Sequence, residues 1–135
     1  MTFVIDASVA LAWSLDDEQS DSAEAIVARL LSEGAVAPAH WPLEVANGIR
    51  SAERRGRMEP SAVPQVEALL RAMPVEIVPV ELSTALGLRD TARQHDLSIY
   101  DAAYLGLAEF RGLGLATIDE RLAAVCRTVG VPLIQ

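Results

Sequence analysis

Four acidic side chains occupy the kind of position at which a fold gathers carboxylates. Asp6 follows an apolar, β-branched run, Glu44 opens an amphipathic segment, Asp101 comes three residues after Ser98 at the start of another, and Asp119 lies between an apolar run and a helical pattern. Taken singly, each is explained as a helix cap that satisfies free N–H groups and opposes the helix dipole, worth roughly 0.5–2 kcal/mol. Ser98 with Asp101 even has the spacing of a capping box. Taken together they suggest a site. Like charges held within a few Å raise one another's pKa unless a positive group intervenes. The chain has no Lys, and its His residues are His40 and His95 alone. A divalent cation is then the natural counter-charge, and an all-oxygen donor set selects Mg²⁺, or Mn²⁺ in its place, over zinc.

Placing these acids requires an alternation of strands and helices, and the sequence carries one. Residues 2–5 read as a buried strand, 8–13 as a short helix, 16–20 as a polar break, and 20–31 as a helix with Ala23, Ile26, Val27, Leu30 and Leu31 on one side, closed by Gly34. Residues 35–37 read as a second strand. Helices follow over 43–55 and 61–73, a strand over 75–80, helices over 83–94 and 98–110, a strand over 112–117, a helix over 120–129 and a last strand over 131–134. Such alternation predicts an α/β fold, a short parallel sheet with helices on both faces. In that architecture the carboxyl ends of the strands share one edge, where sites form. Strand ends would bring Asp6 and Asp119 there, and the helices after the connections would bring Glu44 and Asp101.

Composition narrows the function classes. With 135 residues the chain fits one domain, residues 1–135, and its 51% hydrophobic but 4% aromatic make-up predicts a core of Ala, Val, Leu and Ile. The missing Lys rules out the ordinary P-loop, Schiff-base and receiver-type phospho-acceptor mechanisms. A lone Cys126 excludes an internal disulfide and any Cys-based zinc cluster, which suits a reducing cytoplasm. The N-terminal run has no secretory character, and no apolar stretch approaches ~20 residues, so no membrane association is expected. The formal charge of −8 argues against general affinity for polyanions.

Four segments carry a resemblance to a known family: Phe3-Val4-Ile5-Asp6-Ala7-Ser8, Leu43-Glu44-Val45-Ala46-Asn47, Leu97-Ser98-Ile99-Tyr100-Asp101-Ala102-Ala103-Tyr104-Leu105 and Ala116-Thr117-Ile118-Asp119. In order and spacing they resemble the motifs of PIN-domain ribonucleases, in particular the VapC toxins of bacterial type II toxin–antitoxin systems, and the likeness spans nearly the whole chain. The resemblance implies a three-layer PIN-domain sandwich and a Mg²⁺-dependent endoribonuclease, with Asp6, Glu44, Asp101 and Asp119 as the metal-binding, catalytic acids. Asp119 would act least directly, through water. Ser8 and Thr117 would be hydroxyl supports near the metal and its water. One or two ions would lower the pKa of a water, set it in line with an RNA phosphodiester and stabilise the leaving oxygen, leaving a 5′-phosphate and a 3′-hydroxyl. The family also implies a homodimer, or a hetero-oligomer with a VapB-type antitoxin whose C-terminal segment covers the site. Gly48, where a larger apolar residue is usual, and the complete use of Arg for Lys depart from the pattern without touching the acids.

Further residues have two readings each. Asn47, a turn after Glu44, can orient that carboxylate or face solvent. Arg50, Arg54, Arg55 and Arg57 form the one concentrated positive patch, an RNA-phosphate contact or a solvated helix end. Tyr100 and Tyr104, at i and i+4, suit core packing better than base stacking. Trp13 and Trp41 can line a groove for an antitoxin helix or be buried. Gly48 costs about 1 kcal/mol in a helix and points to a close approach there. A competing reading of the whole chain is a catalytically silent PIN-like module that binds a partner and uses its acids only as caps.

Overall fold

The structure is a computed structural model and describes residues 1–15 and 20–135. The predicted polar break falls, Ser20 apart, outside the described residues. The chain runs β1 (Phe3–Ile5), α1 (Ala7–Ser14), α2 (Asp21–Glu33), β2 (Ala35–Pro38), α3 (Trp41–Arg54), a 3-10 turn (Pro60–Ala62), α4 (Val63–Arg71), β3 (Val75–Val78), α5 (Leu82–His95), α6 (Ile99–Arg111), β4 (Leu115–Ala116) and α7 (Glu120–Val129). The four strands form a parallel sheet in the order β3-β2-β1-β4. β1 is central, paired through Phe3 with Ala35 on one side and through Val4 with Leu115 on the other. All three of its residues are buried, as an apolar run in a parallel sheet covered on both faces must be.

Each predicted element is present except the last strand. Residues 131–134 contribute one parallel bridge, Leu133 to Leu115, flanked by Leu115 N–H donating to Pro132 O at 2.9 Å and Ile134 N–H donating to Leu115 O at 3.0 Å. Pro132 has no N–H to give, so the ladder cannot lengthen through it. The segment still lies close against the sheet because Gly114 leaves room: a Cβ there would stand 3.0 Å from Pro132 O and 2.7 Å from Ile134 Cδ1.

α6 packs on β1, β2 and β4, with α5 laid over it, while α1 packs against α2 and α3. The buried core is made of small and branched side chains, among them Val4, Ile5, Val9, Ala10, Ile26, Leu30, Leu105, Leu115 and Leu122, with Tyr104 the largest fully buried one. Gly48 answers the expectation of a close approach. A Cβ there would lie 2.4 Å from both terminal methyls of Leu11, so α3 crosses α1 at a point where anything larger than a hydrogen requires Leu11 to move.

Candidate active site

Asp6 leaves β1 directly and caps α1. Its Oδ1 accepts from Ser8 Oγ at 2.6 Å and from Val9 N–H at 3.4 Å, and its Oδ2 accepts from the Thr117 hydroxyl. The same two hydroxyls also accept from the β4 side: Ile118 N–H reaches Ser8 Oγ and Asp119 N–H reaches Thr117 Oγ1, each at 3.0 Å. Ser8 and Thr117 therefore bind Asp6 itself and knit the end of β1 to the end of β4. Despite these donors Asp6 is costly. It is 4% exposed, and burial pushes its carboxyl up to about 6 against the hydrogen bonds from Ser8, Thr117 and Val9 that lower it.

The other three acids come from three more elements. Asp119 caps α7, its Oδ1 accepting from Arg121 N–H at 2.9 Å and Leu122 N–H at 3.3 Å. Asp101 sits in the first turn of α6, where Ser98 Oγ caps the helix by accepting from Asp101 N–H at 3.0 Å. Burial raises the Asp101 carboxyl, and the negative charges of Asp119 and Glu44 raise it further; Asp6 in turn feels the charge of Asp101. The four carboxylates thus share one electrostatic neighbourhood at the carboxyl edge of the sheet.

Glu44, in the first turn of α3, behaves differently. Burial pushes its carboxyl up, but His40 and Tyr104 outweigh that and hold it below the usual range. The Tyr104 hydroxyl donates to Glu44 Oε1 at 2.8 Å, and His40 Nε2 lies 3.1 Å from the same oxygen, close but out of line for a hydrogen bond. His40 packs between aromatic rings, 4.8 Å from Tyr104 and 5.2 Å from Tyr100. Sequence reasoning missed this pair. The i,i+4 spacing of His40 and Glu44 is a legible signal, whereas Tyr104 reaches Glu44 across 60 positions.

Asn47 is exposed and makes no hydrogen bond to Glu44. Tyr104 is in the core as expected, while Tyr100 is 58% exposed. The arginine patch divides. Arg57 lines a cleft of about 360 Å³ with Ser8, Leu11, Gly48, Ser51 and Asp119, next to the acids. Arg50 lines a separate groove of about 550 Å³ between α3 and α4 with Trp41, Val45, Ile49, Leu70 and Arg71. Arg54 and Arg55 are exposed at the end of α3. Trp41 is buried in that groove, its Nε1 without a hydrogen-bond partner, while Trp13 packs half-buried against the core.

Among the described residues no three His, Cys, Asp or Glu side chains already stand in an arrangement that could hold a metal ion. In donor type the cluster fits a hard divalent cation, since it offers carboxylate oxygens from four elements, one of them buried with its charge uncompensated. Cys126 is a poor competing ligand: it is fully buried, and burial pushes its thiol up to about 11.

Comparisons with known proteins identify the family of the chain. The PIN domain family model matches residues 3–128. The chain is 37% identical over 122 residues to Ribonuclease VapC3 of Mycobacterium tuberculosis, covering 89% of this chain and 84% of that protein. It is 35% identical over 127 residues to Ribonuclease VapC3 of Pyrobaculum aerophilum, covering 91% and 93%. The solved structure of Mycobacterium tuberculosis VapC20, described as a sarcin–ricin loop cleaving toxin, shares the fold at a TM-score of 0.65 and 18% identity over 93% of this chain and 95% of that one. With a family match over almost its full length, and relatives of the same extent, the chain belongs to the PIN-domain family, among the VapC ribonucleases.

Proposed function

We propose that this protein is the toxin of a type II toxin–antitoxin pair, an endoribonuclease that depends on Mg²⁺ and accepts Mn²⁺. The observation that carries the reading is the electrostatic coupling of Asp101 to Asp6, Glu44 and Asp119, in which a buried carboxylate with a raised pKa, Asp6, sits beside like charge. Such a cluster is costly as a set of caps and useful as a cation site. Asp6, Asp101 and Glu44 would hold the ion, with Asp119, which caps α7 through Oδ1, acting through water. A divalent cation bound there supplies the charge to activate a water and to neutralise the phosphodiester being cut.

The chain's own residues do the rest. Ser8 and Thr117 fix both oxygens of Asp6, so its carboxylate cannot swing out of the cluster. Arg57 lines the same cleft as Ser8 and Asp119, where a guanidinium suits a phosphate of the RNA strand. The apolar groove between α3 and α4, with Trp41 at its base and charged residues at its rim, suits an amphipathic segment of a VapB-type antitoxin. A homodimer is the expected assembly of the toxin itself.

The decisive experiment is RNA cleavage by purified protein with and without Mg²⁺, beside Asp6→Asn and Asp101→Asn. Cleavage should require the ion and disappear in both variants. Equal cleavage by all three proteins would expose a contaminating nuclease. Absence of any Mn²⁺ or Mg²⁺ binding heat would leave a module without metal chemistry.

A further inference from the structure

Building on the nuclease reading, we infer that Tyr104, by its hydrogen bond, and His40, by its close approach, are positioning residues that hold Oε1 of Glu44 and so orient this carboxylate within the acid cluster. Both contacts converge on one atom, from two different elements. Tyr104 Oη, carried by α6, donates to Oε1 at 2.8 Å, and His40 Nε2, one turn before Glu44, lies 3.1 Å from the same oxygen. Oε2 accepts nothing from the described residues. Ser8 and Thr117, by contrast, occupy one oxygen of Asp6 each. The two acids are thus restrained in different ways, Asp6 at both oxygens and Glu44 at one.

The restraint is needed because of where Glu44 sits. Its side chain is 36% exposed in the first turn of α3, with three rotatable bonds and no helix-capping contact of its own. Tyr104 is suited to hold it, since its ring is 1% exposed and fixed in the core. His40 is fixed in turn by its two aromatic neighbours, Tyr100 and Tyr104. A buried tyrosine hydroxyl also needs an acceptor for its own sake, so the test must separate positioning from mere satisfaction.

Tyr104→Phe removes the hydroxyl and keeps the ring. Three quantities are measured: calorimetric affinity for Mn²⁺ alone, kcat and KM for RNA cleavage well below the melting midpoint, and the midpoint itself. Loss of a partner that orients a metal-site carboxylate should weaken Mn²⁺ binding and lower kcat by roughly 10-fold or more, with KM for RNA changed by less than about twofold. A lower midpoint with unchanged Mn²⁺ affinity and kcat would show that the hydroxyl only satisfies itself, and the inference would fall. If Tyr104→Phe does not fold, His40→Gln at its half-buried position is judged on the same quantities by the same criteria. Wild-type protein that neither takes up Mn²⁺ nor cleaves RNA would remove the nuclease reading and this inference with it. Active wild type with unaffected variants would remove this inference alone.

Discussion

Asp6 shows how a single residue can be a poor choice for stability and a good one for chemistry. Its carboxyl titrates near 6 in the folded chain against 3.8 as the ordinary value, so between those limits the folded protein binds the extra proton. Without divalent cations, the contribution of Asp6 to stability should therefore be fully present below about pH 4 and be lost as pH rises through 6, about 3 kcal/mol in all for a group buried this deeply. Asn keeps the shape without the charge. Asp6→Asn should flatten that slope and make the protein more stable than wild type at pH 7 by roughly 1–3 kcal/mol, while abolishing cleavage. Urea unfolding at pH 4 and pH 7 checks both parts, and a variant less stable than wild type at pH 7 would mean that lost hydrogen bonds from Ser8 and Thr117 outweigh the relieved charge. The positions of Asp6, Glu44, Asp101 and Asp119 were legible because each follows an element boundary written in local pattern. The partners of Glu44 were not, because a bond between α3 and α6 exists only once the sheet has brought them together.

At the scale of elements one constraint is the crossing of α1 and α3. In an exposed helix, Gly48→Ala would gain about 1 kcal/mol of propensity. Here the added methyl meets both ends of Leu11, and overpacking of that kind costs typically 1–3 kcal/mol. The variant should be destabilised by up to about 2 kcal/mol, and combining it with Leu11→Ala should recover part of the loss, a coupling that a double-mutant cycle measures. Equal effects of Gly48→Ala in both backgrounds would rule out the contact as the cause. The sequence announced this crossing through a glycine inside an otherwise helical run. It overstated the C-terminal strand, because the apolar pattern of residues 131–134 says nothing of the hydrogen-bonding capacity that Pro132 removes. Of the two readings of Asn47 the structure gives the solvent-facing one, and Tyr104 and His40 approach Glu44 instead.

For the whole molecule, charge and burial set what the protein meets. A net charge of −8, with only four of eleven arginines clustered at residues 50–57, predicts RNA binding that is weak and sharply reduced by salt. Replacing Arg57 by Gln should weaken binding across RNA sequences and reduce the slope of log affinity against log salt by about 1, measured by titration at several ionic strengths. An unchanged slope would assign Arg57 to the fold instead. Two bound divalent cations would add +4 and halve the net charge to −4, easing the approach of a polyanion. Cys126, the one cysteine of the chain, lies fully buried on α7 with its thiol pushed up to about 11. In the folded state it should be silent toward thiol reagents, so any labelling records an opening of the core around Cys126. The molecule thus carries an internal clock for its own opening, and the labelling rate, followed with and without Mn²⁺ or a captured antitoxin, would report in one unmodified chain how far each of them holds the fold closed.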